Sequence, residues 1–263
     1  MLSTFSLSIA RILIVVAVVG ISVSDARANS LQIVYDTPLG PDEQDARVFI
    51  DEEGISQTVS GLVNREFALR YELTLFLGGR DGPLFDESLN EIRMPYVFLY
   101  DIADRFNGDS YSSTGVNVYD VVRDAYLHAL LHQISHAFFV MYDLRTSGSL
   151  EKAVDALTVL LMLRYYENGG DVVLNAAELF VQEGGSSELR SGRNFWNEHD
   201  MDQQSYNQAL CLVYGSDPQR YSGLEERSEF LQIRGRDCIQ EYRRQTNAWF
   251  GVLRSFLKRP PPE

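Results

Sequence analysis

Basic residues, cysteine and long apolar runs are all scarce in this chain of 263 residues. Lys and Arg number 23 against 37 Asp and Glu, a formal net charge of −14 at pH 7, which argues against nucleic acid as a partner. No segment beyond the amino terminus approaches the roughly 20 apolar residues that a membrane-spanning helix requires, so we expect no membrane span in the mature protein. Hydrophobic residues nonetheless make up 45% of the chain, with 14 Phe and 14 Tyr, which predicts a folded domain with a sizeable core.

The amino terminus has the pattern of a secretory signal peptide, which we assign to residues 1–28. Arg11 provides a positive charge, Ile12–Val23 form an apolar core, and Ala26–Ala28 has the A-x-A form of a cleavage site. No Cys lies near this site, which argues against a lipid anchor. We therefore expect a mature protein that begins at Asn29 and is exported, to the periplasm or by secretion.

Cysteine occurs only at Cys211 and Cys238. An even number of cysteines in an exported protein favours disulfide bonding, so we predict one bridge between them. The alternative is a pair of buried free thiols.

The hydrophobic pattern changes along the chain from short β-type runs to helical periodicity. Runs of branched and aromatic residues predict strands over Leu31–Tyr35, Arg47–Ile50, Tyr71–Leu77 and Met94–Tyr100. Apolar residues at helical spacing predict helices over about Val118–Tyr142, Ser149–Tyr166, Asp171–Val181, Asp202–Leu212 and Ile239–Leu257. We expect a single α+β domain over residues 29–257, sheet first and helices after, and a disordered tail at 258–263.

Three of the four histidines, His128, His132 and His136, lie four residues apart in the longest predicted helix. Residues at this spacing share one helix face, with Cβ atoms roughly 5–6 Å apart, so two adjacent imidazoles can bind one zinc ion. The outer two histidines are separated by about 12 Å of helix rise, so one ion cannot bind all three. Spacing alone is weak evidence, because two histidines four apart are more often ordinary core or surface residues.

The segment His132-Gln133-Ile134-Ser135-His136 has the spacing of the H-E-x-x-H helix of zinc peptidases. In that pattern the Glu accepts a proton from the metal-bound water, acting as the general base. Gln133 stands in its place, and a carboxamide cannot accept that proton.

The next predicted helix carries two carboxylates, Glu151 and Asp155, on a stripe that is otherwise mostly apolar. Buried carboxylates need a partner or a metal, so Glu151 is a candidate third zinc ligand. Asp155, one turn further on, is a candidate to orient a ligand histidine through its other ring nitrogen. The alternative is that Glu151 only stabilises the positive end of its helix dipole and that Asp155 is partly solvated.

These residues and a later block resemble a bacterial family of uncharacterised proteins described as putative metallopeptidases. Its members carry H-E-x-x-H-A on one helix, E-x-x-x-D on the next, and a block around W-x-E-H followed by Tyr-Asn and Cys-x-x-Tyr-Gly. The matching segments of this chain are His132–Ala137, Glu151–Asp155, Phe195–His199, Tyr206–Asn207, Cys211–Pro218 and Arg236–Cys238. The resemblance is good from about Met94 to Trp249 and loose before Met94, and its carboxy-terminal block is the specific part.

The resemblance implies a thermolysin-like zincin fold, with zinc bound by His132, His136 and Glu151 and a sheet edge that can pair with an extended peptide. It also implies that His199 donates a hydrogen bond to a developing oxyanion near the metal. The alternative for His199 is an ordinary surface histidine. The resemblance gives His128 no role, and we assign it to packing or to the surface.

Two residues depart from the family pattern. Lys152 replaces an acidic residue of the second helix and changes the local charge. Gln133 removes the general base, whose assistance is typically worth about 10²–10⁴ in rate. Glu198 is a candidate substitute base, if it reaches the water.

Three hypotheses for the function follow. The first is an exported zinc-binding protein with lost or strongly reduced peptidase activity, which holds a peptide or partner instead of cutting it. The second is a slow zinc-dependent metallopeptidase. The third is a metal-free structural or interaction domain in which the histidine face is only packed. Neither a substrate nor an oligomeric state is indicated.

Overall fold

The computed structural model describes residues 29–106, 117–181 and 203–259. The predicted signal peptide, residues 1–28, lies outside the described residues. So do residues 260–263 of the predicted tail, together with Glu198 and His199.

Four strands in the amino-terminal part form one mixed sheet, namely β1 (Leu31–Tyr35), β2 (Leu73–Leu77), β3 (Leu84–Asp86) and β4 (Glu91–Met94). Their spatial order is β1-β2-β4-β3, with β1, β2 and β4 parallel and β3 antiparallel to β4 at one edge. Alternate residues of β2, Leu73, Leu75 and Leu77, are fully buried. One face of the sheet therefore packs into the core, as the two-residue period of a strand requires.

Helices α1 (Pro41–Glu52) and α2 (Ile55–Glu66) connect β1 to β2. Pro41 begins α1, and Asp42 and Glu43 follow in its first turn, which favours a helix start because the amino end of a helix dipole is positive. The strand predicted over Arg47–Ile50 is therefore wrong, because these residues lie inside α1. Helix α2 was not predicted.

Helix α3 (Tyr96–Phe106) follows β4 directly. The strand predicted over Met94–Tyr100 is wrong beyond its first residue, because β4 ends at Met94 and the chain turns into α3 after Pro95. Proline suits this position, since its φ angle fits a helix start and its missing N–H would have no partner there.

The carboxy-terminal part is helical, with α4 (Val118–Met141), α5 (Leu150–Tyr165), α6 (Gly169–Val181), α7 (Gln203–Ser216), α8 (Gly223–Arg227) and α9 (Glu229–Leu253). Helix α4 is the central element, because it contacts α3, α5, α6 and the β3–β4 edge of the sheet. It is buried on nearly all sides. The predicted α+β class is confirmed in the form of a mostly helical domain with a small sheet. No helix in the described part of the chain combines the length and apolar character needed to cross a membrane.

A disulfide joins Cys211 of α7 to Cys238 of α9, as predicted. Gly215 lets the two helices approach closely, since a Cβ atom there would collide with the backbone of Cys238. Beyond α9 the chain returns to α2, where the backbone N–H of Lys258 donates to the carbonyl oxygen of Glu66 at 2.7 Å. Arg259 also pairs with the Glu66 carboxylate. The first two residues of the predicted tail are thus bound to the domain.

Candidate metal centre

Helices α4 and α5 lie side by side, and two buried hydroxyl groups meet between them. Ser135 donates a hydrogen bond to the carbonyl oxygen of Leu131 at 2.9 Å. The hydroxyl of Thr158 lies 2.9 Å from that of Ser135 and also 2.9 Å from the carbonyl oxygen of Val154. Both side chains are fully buried. A satisfied polar contact of this kind fixes the rotation of one helix against the other, which sets the faces that carry the site residues.

The structure brings together the three predicted zinc ligands. The Nε2 atoms of His132 and His136 are 3.0 Å apart. The Oε2 atom of Glu151 lies 3.5 Å from the first and 3.4 Å from the second. Among the described residues, these three are the group of His, Cys, Asp and Glu side chains with the geometry to hold a metal ion.

These distances fit an ion bound between the three atoms. With bonds of about 2.0–2.1 Å in a tetrahedral zinc site, any two ligand atoms lie about 3.3–3.4 Å apart. The observed separations of 3.0, 3.4 and 3.5 Å surround that value. Two imidazole nitrogens that face each other at 3.0 Å also need a proton or a cation between them, because their lone pairs would otherwise repel.

The charges of the site favour a cation. Burial by itself would lower the pKa of His132, but hydrogen bonds to Asp155 and Glu151 outweigh it and raise this pKa to about 9. Hydrogen bonds from His132 and His136 hold the pKa of Glu151 far below its ordinary value. The carboxylates therefore stabilise positive charge at the position where an ion would lie.

Among the described residues of the site, Glu151 is the most exposed. The side chains of His132 and His136 are 9% and 17% exposed, whereas that of Glu151 is 48% exposed. A catalytic zinc site typically has three protein ligands and a fourth position for water or substrate. The solvent-facing side at Glu151 leaves room for that fourth position.

Asp155 lies where the sequence placed it, beside the other ring nitrogen of a ligand histidine. Its Oδ1 atom is 3.2 Å from Nδ1 of His132. A carboxylate in this position accepts a hydrogen bond from Nδ1–H, which keeps the proton on Nδ1 and leaves Nε2 to bind a metal. The side chain is 17% exposed, so it is not merely a solvated surface group.

Gln133 and His128 lie in the interior of α4. Gln133 is 2% exposed, so its carboxamide is held among protein atoms. His128 is 3% exposed, and burial lowers its pKa to about 4, which keeps it neutral at pH 7. His128 lies one turn before His132 and is not part of the His-His-Glu group.

The roles predicted for Glu198 and His199 stay predictions, since both lie outside the described residues. Sequence reasoning did not identify the contact between Ser135 and Thr158. Their positions carried a weak signal, because each is a hydroxyl residue on a buried helix face that also carries site residues.

Comparison with known proteins adds one match. The model of the family described as "Putative metallopeptidase" matches residues 35–253. That span contains α4, α5 and the disulfide, and so all three candidate ligands. No curated protein and no solved structure matches the chain.

Proposed function

The chain belongs to the family described as putative metallopeptidases, and from that premise we propose that it is an exported zinc-binding protein whose peptidase activity is lost or strongly reduced. The observation that carries the proposal is the convergence of His132, His136 and Glu151 beside a glutamine at position 133. Three side chains with the geometry to hold a metal ion converge there, and a glutamine stands where the proposed enzyme chemistry would need a general base.

Zinc is the metal that the donor set suits best. Two imidazole nitrogens and one carboxylate oxygen form a known catalytic zinc set, and the borderline-soft nitrogen donors favour zinc over calcium or magnesium. When bound, zinc would polarise a carbonyl group and make water more acidic. His132, held by Asp155, and His136 would fix the ion against α4, while Glu151 would close the site from α5.

Gln133 limits what this site can do. Its carboxamide can donate and accept hydrogen bonds, but it stays neutral and cannot take a proton from water at neutral pH. The loss of general-base assistance is expected to lower the rate by about 10²–10⁴. Recognition of an extended peptide does not need that proton transfer, so binding of a peptide or partner would survive.

The zincin-like arrangement is part of the same proposal. Its support is that α4 follows the sheet in the chain and contacts both β3 and β4. Among the described strands, β3 (Leu84–Asp86) lies at the end of the sheet and pairs with β4 alone, so we assign its other edge to an extended peptide. His199 as an oxyanion donor and Glu198 as a substitute base complete the proposed site.

Export is supported by two independent features. The first is the signal-like sequence at residues 1–28. The second is the Cys211–Cys238 disulfide, since such bonds persist mainly in oxidising compartments.

Zinc stoichiometry tests the proposal directly. Mature protein purified without a polyhistidine tag and equilibrated with zinc should contain about one ion per chain by elemental analysis. His132→Ala and Glu151→Gln should each lose the tightly bound ion. Glu167→Gln is the matched control, because this exposed glutamate follows the same helix without touching the site. A chain that binds no zinc would favour the metal-free domain instead, whereas variants that bind zinc as well as the control would refute His132 and Glu151 as ligands.

A slow zinc-dependent metallopeptidase is the second candidate. The observation that favours it is the intact ligand set with a solvent-facing side at Glu151. Cleavage of casein by the unaltered protein that disappears with a chelator and returns with zinc would establish it. Absence of such cleavage in zinc-loaded protein favours the first proposal.

A further inference from the structure

A second concave site lies at the opposite end of α5 from the metal centre. A cleft of about 720 Å³ is lined by Arg164 of α5, by Thr246, Phe250 and Arg254 from the end of α9 and just beyond, and by Lys258 and Arg259. We refer to it as the basic cleft. Its size lies within the range of small-molecule sites, about 300–1,000 Å³.

The charge of the basic cleft is opposite to that of the whole chain. Its lining carries four cationic side chains, whereas the chain has a net charge of −14. Among the described residues, the carboxylate that pairs with this lining is Glu66, which lies 2.6 Å from Arg259 and 2.7 Å from Arg65. One carboxylate shared between two guanidinium groups leaves a surplus of positive charge.

Two polar atoms in the lining are buried without a hydrogen-bond partner among the described residues, Nε of Arg164 and the hydroxyl oxygen of Thr246. Such atoms are uncommon in folded proteins, because an unmade hydrogen bond on a buried group costs free energy. Both atoms belong to residues that line the same cleft. Each can donate a hydrogen bond to an acceptor oxygen of a ligand once its side chain rotates toward the cleft, because neither atom is exposed to solvent in this structure.

The carboxyl ends of α5 and α9 explain why some of the cationic residues lie in the basic cleft, but not all of its features. Arg164 is in the last turn of α5, and Arg254 directly follows α9, so each complements a helix dipole. Arg164 also lies over the ring of Phe250, at 5.7 Å from its centre. Lys258 donates to the carbonyl oxygen of Asn64 at 2.7 Å, and Arg259 pairs with Glu66, so these two cations are also held by α2. None of these contacts accounts for the buried hydroxyl of Thr246 or for the four cations that remain around one carboxylate.

We propose that the basic cleft binds a small organic phosphate monoester. A phosphate dianion provides acceptor oxygens for several cationic donors and for the Thr246 hydroxyl at once, and guanidinium groups bind it through paired N–H donors. Phe250 and Leu257 supply apolar surface for the organic part of the ligand.

The site is separate from the metal centre. Glu151 is in the first turn of α5 and Arg164 in its last turn. Thirteen residues of helix rise separate them, about 20 Å. Ligand binding in the basic cleft should therefore persist when the metal site is removed.

Calorimetric titration of the mature protein with phenyl phosphate tests the proposal, with inorganic phosphate and benzoate as comparison probes at constant ionic strength. Phenyl phosphate should bind with 1:1 stoichiometry, roughly fivefold or more tighter than inorganic phosphate, because its ring can pack on Leu257 and on the exposed edge of Phe250. Benzoate should bind more weakly than phenyl phosphate. The same result is expected in His132→Ala, which lacks the proposed zinc site.

The matched variants are Arg254→Gln, Thr246→Val and Arg243→Gln. Arg254→Gln removes an exposed cation of the basic cleft and should weaken phenyl phosphate binding by roughly tenfold. Thr246→Val replaces a buried hydroxyl by a methyl group of the same shape. It should weaken phenyl phosphate binding without lowering the melting temperature of the free protein. Arg243→Gln removes an exposed cation elsewhere on α9 and should leave the affinity for phenyl phosphate unchanged. Absence of saturable binding, equal binding of benzoate, equal losses in Arg254→Gln and Arg243→Gln, or loss of binding in His132→Ala would each overturn the proposal.

Discussion

Restoring a carboxylate at position 133 should convert this protein into a faster peptidase. Gln133→Glu replaces an amide nitrogen by an oxygen and leaves the shape of the side chain almost unchanged. The position is 2% exposed and directly follows His132, which lies 3.2 Å from Asp155 and 3.0 Å from His136. The new carboxylate would therefore lie on α4 next to a candidate zinc ligand.

The expected gain follows from the size of general-base catalysis. Cleavage should rise by roughly 10²-fold or more, within the range of 10²–10⁴ for a positioned base, or about 3–5 kcal/mol of activation free energy. Burial should raise the pKa of the new carboxylate, which brings a base closer to the optimum for work at pH 7. The same burial should lower the melting temperature of the variant, since a charged group is now desolvated. Zinc affinity should change little, because residue 133 is not a ligand.

The assay is zinc-dependent cleavage of casein or of an unstructured peptide by the purified variant. Gln232→Glu, an exposed site on α9, controls for an added negative charge. The double variant Gln133→Glu, His136→Ala should be inactive, since the base acts only with the metal in place. If Gln133→Glu folds, binds zinc and stays inert on a broad peptide library, the reasoning is refuted, because the metal site must then lack more than its base.

Three further predictions concern the site and the disulfide. Asp155→Asn should weaken zinc binding by about 10–100-fold, less than His132→Ala, because it removes the carboxylate that orients His132; equal zinc affinity in Asp155→Asn and unaltered protein would contradict this role. Zinc affinity should rise by up to about tenfold per pH unit below pH 9, because the raised pKa of His132, about 9, means that zinc must displace a proton; titration in two buffers of different ionisation enthalpy should show proton release at pH 7. The double variant Cys211→Ala, Cys238→Ala should lose about 3–4 kcal/mol of unfolding free energy in urea, as expected for cysteines separated by 27 residues. Reductant should destabilise the unaltered protein to a similar extent and leave that variant unchanged.

The helical part of the fold was largely predictable because its signals are long. Helix α4 is 24 residues long, contains neither Pro nor Gly, and is apolar on nearly all faces. The pairing of His132 with His136 followed from helical spacing, since residues four apart share a face, whereas Glu151 was named from the carboxylates of the next helix and from the family resemblance.

The amino-terminal part was less predictable because its segments are short. The four residues Arg47–Ile50 read equally well as a strand or as one turn of α1, and only the Pro41-Asp42-Glu43 start distinguishes the two. Helix α2 follows Gly54, whose φ of 61° separates it from α1, and its apolar residues are diluted by Ser, Thr and Asn. Neither the contact between Thr158 and Ser135 nor the basic cleft could be predicted, because both depend on which faces of distant segments meet.

The two histidines and the glutamate come from different helices, so an ion bound by all three would act as a cross-link between α4 and α5. Binding at a free zinc concentration 1,000 times the dissociation constant adds about 4 kcal/mol to folding stability. That contribution is independent of residue 133, because a general base takes no part in holding the ion. Natural selection for a stable fold would thus preserve His132, His136 and Glu151 in a lineage that had stopped cutting peptides. Intact ligands in a member of this family are a sign of a maintained fold as much as of a working enzyme.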